Sequence, residues 1–502
     1  MSGEKPVIVC FDRGARAIKG CHVTGEGKYV RVEDSSGAYS FDSGMHIRSS
    51  KEVVFGEEAR RLSFEDPDNF VGDLKAQCGT GKSYHTLSVV DLIQRDLETR
   101  LLKAFQDQFG VRPTHAVLTT PCCATDRHIA DLVTAHQRAG LVVVGTIPEP
   151  SAAALAAAAG GVIKAAVGQR IAVVDTGHYS TDVAVLTAAE NSVFPVLRAD
   201  GLANHGGEKL MDMLSDYVLG QVAKNTGVKV SRAELSAEQR YTHMQEIAKA
   251  MRAISARPSV TVAVPLNKKV WPIEVKTATF KDLVDLFLRP VVEMLNKVIA
   301  AAGGDPKAVV QVLVSGGLAQ NGLIRERLAA LTGMLVTRVP DPVDACANGG
   351  AIQCQAMVRQ SVPGAVQELP PAPAQAVLCT THTIASVTVD RGLDGERTKV
   401  CSLLVGEGEK IPLKQHRDYP LIRADQPSVL IQIVRGKEGQ SPEQCMKFAE
   451  LLLENLPPEK TKTSRIRVEC SVSEANLASV TVTDLVSKVS KTVSFQIGKE
   501  AA

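Results

Sequence analysis

Residues 7–14 read VIVCFDRG and residues 171–177 read IAVVDTG. Each is a short apolar run of buried-strand type that ends in an aspartate and then a glycine turn. Alternating apolar and polar residues follow both, AIKGCHVTGEGKYVRVE after the first and DVAVLTAAENSVFPVLRA after the second, which is the pattern of a β-hairpin. The likeness continues downstream. The first hairpin leads to the helical pattern VVDLIQRDLETRLLKAFQDQFG, the strand HAVLTTP, the helix ATDRHIADLVTAHQRAG, the strand LVVVGTI and EPSAAALAAAA. The second leads to TFKDLVDLFLRPVVEMLNKVIAAAG, VVQVLVSGG, NGLIRERLAALTG, LVTRV and DPVDACANGGAIQCQA. Both halves run hairpin, helix, strand, helix, strand, helix, so the chain is expected to build two similar α/β lobes, each a sheet flanked by helices.

A pair of ordinary α/β domains is the plain alternative. What favours a shared site is that Asp12 and Asp175 stand at the carboxyl ends of corresponding strands, where open α/β sheets place ligands. Facing lobes would bring the two carboxylates together across a cleft. Such a pair suits a hydrated magnesium ion, which takes few direct carboxylates and completes its shell with water and substrate phosphates. Gly14 and Gly177 would let the backbone turn tightly and present N–H groups to those phosphates.

The 502 residues allow two to four domains, and the composition, 44% hydrophobic and 22% charged, is that of a globular protein. Lys+Arg 57 against Asp+Glu 55 give no electrostatic reason for bulk nucleic-acid or membrane binding, so neither DNA nor a membrane is an expected partner. The 11 cysteines contain no C-x-x-C pair; Cys10, Cys354 and Cys401 lie in apolar runs and read as reduced core residues, which points to the cytoplasm. No signal peptide opens the sequence. The most apolar stretch, 139–168, is interrupted by Pro148, Glu149, Pro150 and Lys164 and does not read as a membrane span.

Beyond about residue 360 the character changes. Residues 1–362 are assigned to the two-lobed domain, 363–375 to a stiff linker carrying Pro363, Pro370, Pro371 and Pro373, and 376–502 to a β-sandwich of short alternating strands. CMKFAELLLENL interrupts those strands as a helical-looking piece or one more strand. No long helical tail follows.

At this level of detail the order and several motifs resemble the heat-shock seventy-kilodalton chaperones (DnaK-like): IPEPSAAALAAA at 147–158, NHGGEKL at 204–210, VLVSGG at 312–317, DPVDACANGGAIQ at 341–353 and QPSVLIQI at 426–433. The resemblance implies an actin-like ATPase domain of two duplicated RNase H-like lobes followed by a peptide-binding β-sandwich, with ATP or ADP and Mg²⁺ as cofactors. It implies that Asp12 and Asp175 surround the metal and attacking water, that Glu149 orders the metal's water shell, and that Lys75, in FVGDLKAQCG, contacts the transferring phosphate. Gly14, Gly177, Ser180, Gly206, Gly207, Gly316 and Gly317 would line the nucleotide. On the adenosine side EIAKAMRAIS at 246–255 fits the family pattern in two registers, one using Glu246 and Lys249 and the other Arg252 and Ser255; an arginine plane that stacks on adenine and a hydroxyl that reads its edge favour the second.

Three departures qualify that picture. The first phosphate loop of typical members has two threonines where this chain has Ala15 and Arg16, and the second has glycines where this chain has His178 and Tyr179. The linker runs from Gln367, Glu368 and Leu369 straight into prolines, which lack the N–H needed to join a sheet edge. The sequence ends at the sandwich, with no C-terminal helical lid. Phosphoryl transfer depends on preorganised donors, so their loss impairs turnover more than binding. Among the family's branches the pattern is similar to the lid-less member that pairs with the J-protein zuotin in the ribosome-associated complex. The partners so implied are a zuotin-type J-domain protein, the ribosome mainly through that protein, the nascent polypeptide, and a conventional heat-shock seventy-kilodalton chaperone. An actively hydrolysing folding chaperone is the alternative. A P-loop at AQCGTGKS, residues 76–83, is disfavoured because DPDNFVGDLK before it is no buried strand.

Overall fold

The computed structural model describes residues 6–122, 124–227, 230–266, 269–303, 306–361, 369–378, 380, 383–391, 397–406, 409–422, 425–458, 464–473 and 477–496. Two compact units emerge: Met1–Phe194 with Arg198–Ala376, and Pro195–Leu197 with Val377–Ala502.

The duplication read in the sequence is visible strand for strand in the first unit. Its first lobe holds β1 (Ile8–Arg13), β2 (Ala17–Val23), β3 (Tyr29–Arg31), β4 (Phe41–Asp42), β5 (His115–Thr120) and β6 (Val142–Pro148), in the order β6-β5-β1-β2-β3 with β4 beside β2. The second lobe holds β7 (Arg170–Thr176), β8 (Thr181–Thr187), β9 (Val193–Leu202), β10 (Val309–Ser315), β11 (Val336–Arg338) and β12 (Gln375–Leu378), in the order β11-β10-β7-β8-β9-β12. In both, three strands run parallel and the central one turns back through an antiparallel hairpin. The apolar runs account for this: Ile8, Val9 and Cys10, and Ile171, Ala172 and Val173, are each fully buried, as central strands covered on both faces must be.

The first lobe's helices are α1 (Val89–Asp96), continued through a π turn into α2 (Leu102–Phe109), then α3 (Asp126–Arg138) and α4 (Glu149–Ala159). A Ser88–Asp91 capping box starts α1, and Gly110, at φ 70°, ends α2 in the left-handed conformation that glycine adopts freely. The second lobe supplies α5 (Gly207–Thr226), α6 (Ala237–Ala253), α7 (Thr277–Ala301), α8 (Gly322–Thr332) and α9 (Ala345–Ser361). Two of these helices are exchanged. Helix α4 follows the first sheet yet packs mainly on β7 and β8, while α9 follows the second sheet yet packs on β1, β2 and β5. The pair cross where a Cβ on Gly349 would enter the backbone of Ala152 and one on Gly350 would enter Cys10 Sγ. Only hydrogen at these positions permits that approach.

The second unit has two four-stranded antiparallel sheets. One is β14-β13-β16-β17, from β13 (Ile384–Arg391), β14 (Arg397–Val405), β16 (Val429–Arg435) and β17 (Met446–Leu453); the other is β15-β18-β19-β20, from β15 (Leu413–Pro420), β18 (Ser464–Val472), β19 (Leu477–Asp484) and β20 (Ser490–Gln496). Ile431, Ile433 and Leu453 from the first and Val468, Val480 and Val482 from the second share one apolar core. The ambiguous CMKFAELLLENL is a strand: Leu451 and Leu453 are buried while Leu452 between them is 39% exposed, a period of two that no helix shares.

The linker departs from expectation. Residues 363–368 lie outside the described residues, but Leu369 is buried, the Gln355 side chain donates to the Pro370 carbonyl at 2.8 Å, and the Gln353 side chain both accepts from and donates to the Ala376 backbone at 3.0 and 3.1 Å. Strand β12 then pairs beside β9. Pro370, Pro371 and Pro373 all precede β12, so their missing N–H groups take nothing from its ladder. Among the described residues no helix is long and apolar enough to cross a membrane.

Candidate functional site

A cavity of about 850 Å³ opens in the first unit where the two hairpin tips meet, a volume typical of small-molecule sites. Asp12, Gly14, Lys75, Glu149, Asp175, Gly177, Ser180, Gly207, Arg252, Gly316 and Gly317 all line it. They come from strand ends, tight turns, helix starts and the last turn of α6, far apart in sequence, and the lobe duplication is what makes them converge.

The floor is a cluster of carboxylates. Asp12, at the end of β1, accepts from Thr119 Oγ1 at 2.6 Å. Glu149 opens α4 and takes the ammonium of Lys75, which sits in a single 3-10 turn, Lys75–Gln77. Burial raises Glu149 well above the usual carboxylate range although Lys75 pulls the other way, and Asp12, Asp182 and Asp175 raise it further. For Lys75 the attraction of Glu149 and Asp12 overcomes the burial penalty and keeps it protonated. Asp175 is pushed up to about 7, first by burial and then by the charges of Asp182 and Asp12, against hydrogen bonds from Ser315 and Cys346.

Asp182 is the residue that the sequence reading passed over. It faces Asp175 directly in the β7–β8 register, accepts from the Cys122 N–H at 2.9 Å and from Ser180 Oγ at 3.1 Å, and burial raises its carboxyl too. The signal was present: a tight hairpin places residues seven apart opposite one another, with side chains on one face.

These residues fit a magnesium ion. Asp175 Oδ1 is buried and has no hydrogen-bond partner among the described residues, an arrangement that leaves a carboxylate lone pair for a cation. Among the described residues no group of three or more His, Cys, Asp or Glu is arranged to hold a metal unaided. Mg²⁺ relies on water and phosphate for most of its shell. Asp12 and Asp175 would hold it, with Glu149 and Asp182 behind them, and it would neutralise phosphate charge.

The phosphate loops are shaped by their own backbones. Gly14 N–H bonds Ala17 O at 3.0 Å to close the first tip. At the second, the Gly207 and Glu208 N–H groups at the start of α5 bond Gly177 O and His178 O at 2.9 and 2.8 Å. Gly206 does not line the cavity. A Cβ there would stand 2.5 Å from His178 O, so its role is to let the loop lie against the helix. Gly316, at φ 82°, passes so close to Thr176 that a Cβ would enter that residue's backbone. His178 and Tyr179 do intrude on the cavity; burial and the charge of Arg16 lower His178 to about 4, which leaves it neutral.

Arg16 contacts Asp42 at 3.2 Å, but Arg60 binds both oxygens of that carboxylate at 2.7 and 2.9 Å, so two guanidiniums share one carboxylate at the cavity rim. Arg13 is buried and pairs with Asp96 at 2.7 Å, anchoring the β1 tip to α1. On the adenosine side Ala248, Met251 and Arg252, three and four positions apart on α6, share the cavity face with Met211, Leu318 and Val343. Glu246 and Lys249 instead pair with each other at 2.6 Å on the flank of the helix, and Ser255 is exposed beyond it; none of the three lines the cavity. The AQCGTGKS stretch runs through a turn into the short strand Ser83–Tyr84 with Lys82 and Ser83 exposed, no helix starts at its Lys-Ser, and the strand before it, Phe70–Val71, is two residues long, so it is no P-loop.

The Hsp70 protein family model matches residues 81–501. Chaperone protein DnaK of Elusimicrobium minutum (strain Pei191) is 23% identical over 461 residues, which cover 90% of this chain and 70% of that protein. The family match reaches into both units and leaves residues 1–80 outside it. The chain belongs to the Hsp70 family, with the actin-like ATPase fold of that family in its first unit.

Proposed function

We propose that this chain is a co-chaperone of the Hsp70 family that binds ATP or ADP with Mg²⁺ and hydrolyses ATP weakly or not at all. The observation that carries the reading is the uneven state of the cleft. The acidic floor of Asp12, Glu149 and Asp175 with Lys75 is complete, while the phosphate loops present Ala15, Arg16, His178 and Tyr179 in place of small or hydroxyl residues. Binding uses the floor and the apolar adenosine slot; hydrolysis needs donors around the transferring phosphate. Removing one such donor costs about 3 kcal/mol of transition-state stabilisation, and two loops are altered here.

The second unit, read as a β-sandwich, supplies a docking module. The chain would work in the cytoplasm with a zuotin-type J-domain protein, meet the ribosome and nascent polypeptide mainly through that partner, and support a conventional Hsp70. The retained Lys75 and Asp175 favour a second reading, an actively hydrolysing chaperone. Single-turnover hydrolysis with radiolabelled ATP, together with thermal shift in ATP, separates them. Stabilisation without turnover supports the first reading, and turnover at the rate of ordinary family members overturns it. Affinity capture followed by identification of a J-domain protein tests the partner.

A further inference from the structure

The two hairpins that line the cavity are alike in register and unlike in charge. In the second lobe Asp175 faces Asp182 across the β7–β8 ladder; in the first, Asp12 faces Lys19 across the β1–β2 ladder, again seven residues on. Lys19 is therefore the counterpart of Asp182 in the duplicated fold. Residues directly opposed in an antiparallel pair project from the same face of the sheet. Both Asp12 and Lys19 line the nucleotide cavity.

Lys19 is an unusual occupant of such a place. It is 7% exposed, donates from Nζ to Ser40 Oγ, and lies 5.7 Å from the centroid of the Tyr39 ring. Two carboxylates act on it, Asp344 and Asp12. Asp344 also pairs with Arg31, whose guanidinium stands 2.6 Å from its Oδ2 and reaches Asp341 at 3.6 Å. Lys19 thus stands between Asp344 and Asp12, and an anion that enters the cavity beside Asp12 comes within reach of its charge. A lysine is seldom buried without such a purpose, because taking an ammonium out of water is expensive.

We propose that Lys19 is a resident cation of the nucleotide site: its ammonium offsets Asp12 and the polyphosphate, so that adenine nucleotide binds with little dependence on a divalent metal. The inference rests on the nucleotide-binding reading above. In a cleft lined by Asp12, Glu149 and Asp175, with Asp182 behind Asp175, a polyphosphate arriving without metal meets like charge, and Lys75 is already committed to Glu149. One further unit charge several ångströms from the phosphates, in a partly solvated cleft, changes affinity on the order of tenfold.

The test is calorimetric titration of ADP into the full chain in excess EDTA and in excess Mg²⁺. In the unmodified chain the two dissociation constants should differ by about tenfold or less, and Lys19→Met should widen the gap by about a further tenfold while Lys19→Arg keeps it narrow. Lys19→Gln serves if Lys19→Met melts below the unmodified chain. A gap of about a thousandfold in the unmodified chain, or the same gap in Lys19→Met and the unmodified chain, overturns the proposal. If the unmodified chain binds ADP in neither buffer, the nucleotide reading itself falls and this proposal with it. If it binds in magnesium and only the lysine variants disagree, the role of Lys19 alone is lost.

Discussion

Lys75 and Glu149, 74 positions apart, form an ion pair on the cavity floor with their side chains 8% and 15% exposed. Each neutralises the other in a place where either alone would be a stranded charge. Lys75→Ala should therefore destabilise the first unit by about 3–5 kcal/mol, and Lys75→Met combined with Glu149→Leu should recover much of that loss. Urea unfolding followed by the fluorescence of Trp271, the single tryptophan, measures both.

The crowded carboxylates make the chain sensitive to pH when neither nucleotide nor metal is added. The Asp175 carboxyl titrates at about 7 in the folded chain, against about 3.9 in an unfolded one. Between those values the folded state holds a proton that the unfolded state has released, so stability falls as pH rises through the window. Burial shifts Glu149 and Asp182 in the same direction. Calorimetric melting in EDTA without nucleotide should show Tm dropping from about pH 5 to about pH 8, and Asp175→Asn should flatten the slope. A Tm that climbs over this range would contradict the assignment.

Gly316 combines a φ of 82° with an approach to Thr176 that leaves no room for a methyl group. Gly316→Ala should destabilise by about 1–3 kcal/mol from the backbone conformation alone, and more where the strand ends are forced apart. Loss of ADP-dependent thermal stabilisation in Gly316→Ala, with Gly322→Ala as the control in open space, checks that the damage reaches the site.

The altered phosphate loops can be reversed. Ala15→Thr with Arg16→Thr restores two hydroxyls at the first tip, and His178→Gly with Tyr179→Gly reopens the second. If missing donors are what limits turnover, the fourfold variant should raise single-turnover hydrolysis by a hundredfold or more, given the ~3 kcal/mol that one such donor supplies, with a smaller change in ADP affinity. Equal gains in both would instead mark a general binding defect.

In the second unit Arg465 and Asp484 make a bidentate pair at 2.6 and 2.9 Å with side chains 1% and 0% exposed. Arg465, helped by Ser487 and the Val486 N–H, holds the Asp484 carboxyl far below the usual carboxylate range. Its contribution is present at neutral pH and is lost as pH falls below about 4, the unfolded value, toward the folded one. Asp484→Asn should cost the second unit about 3–5 kcal/mol, seen as lost hydrogen-exchange protection in β18 and β19.

The architecture was legible because it was written twice: apolar strand, aspartate, glycine and hairpin recur in one order, and the structure repeats them in one strand order. Asp12, Lys75, Glu149 and Asp175 could be placed because each sits in a distinctive run. Asp182 was missed because DVAVLTAAENSVFPVLRA, which it opens, was read only for its hairpin pattern, while the ladder carries it back to face Asp175. The α6 register stayed open because Glu246 and Lys249 differ from Arg252 only by rotation about one helix, which no local pattern fixes. The strand β17 resisted for a related reason: FAELLLENL satisfies a helical period in isolation, and pairing with β16 decides the matter from outside the segment.

Each lobe is roofed by a helix that the other lobe's chain leads into, and the two roofs touch backbone to backbone at Ala152 and Gly349. Neither half can melt without uncovering its twin, so the pair must stand or collapse as one. Between Gly349 and Ala152 the contact is main chain on main chain, so no side chain can turn aside to relieve it. Any widening of the mouth above it would be a tilt about that knot, set by a gap too tight for even a methyl group.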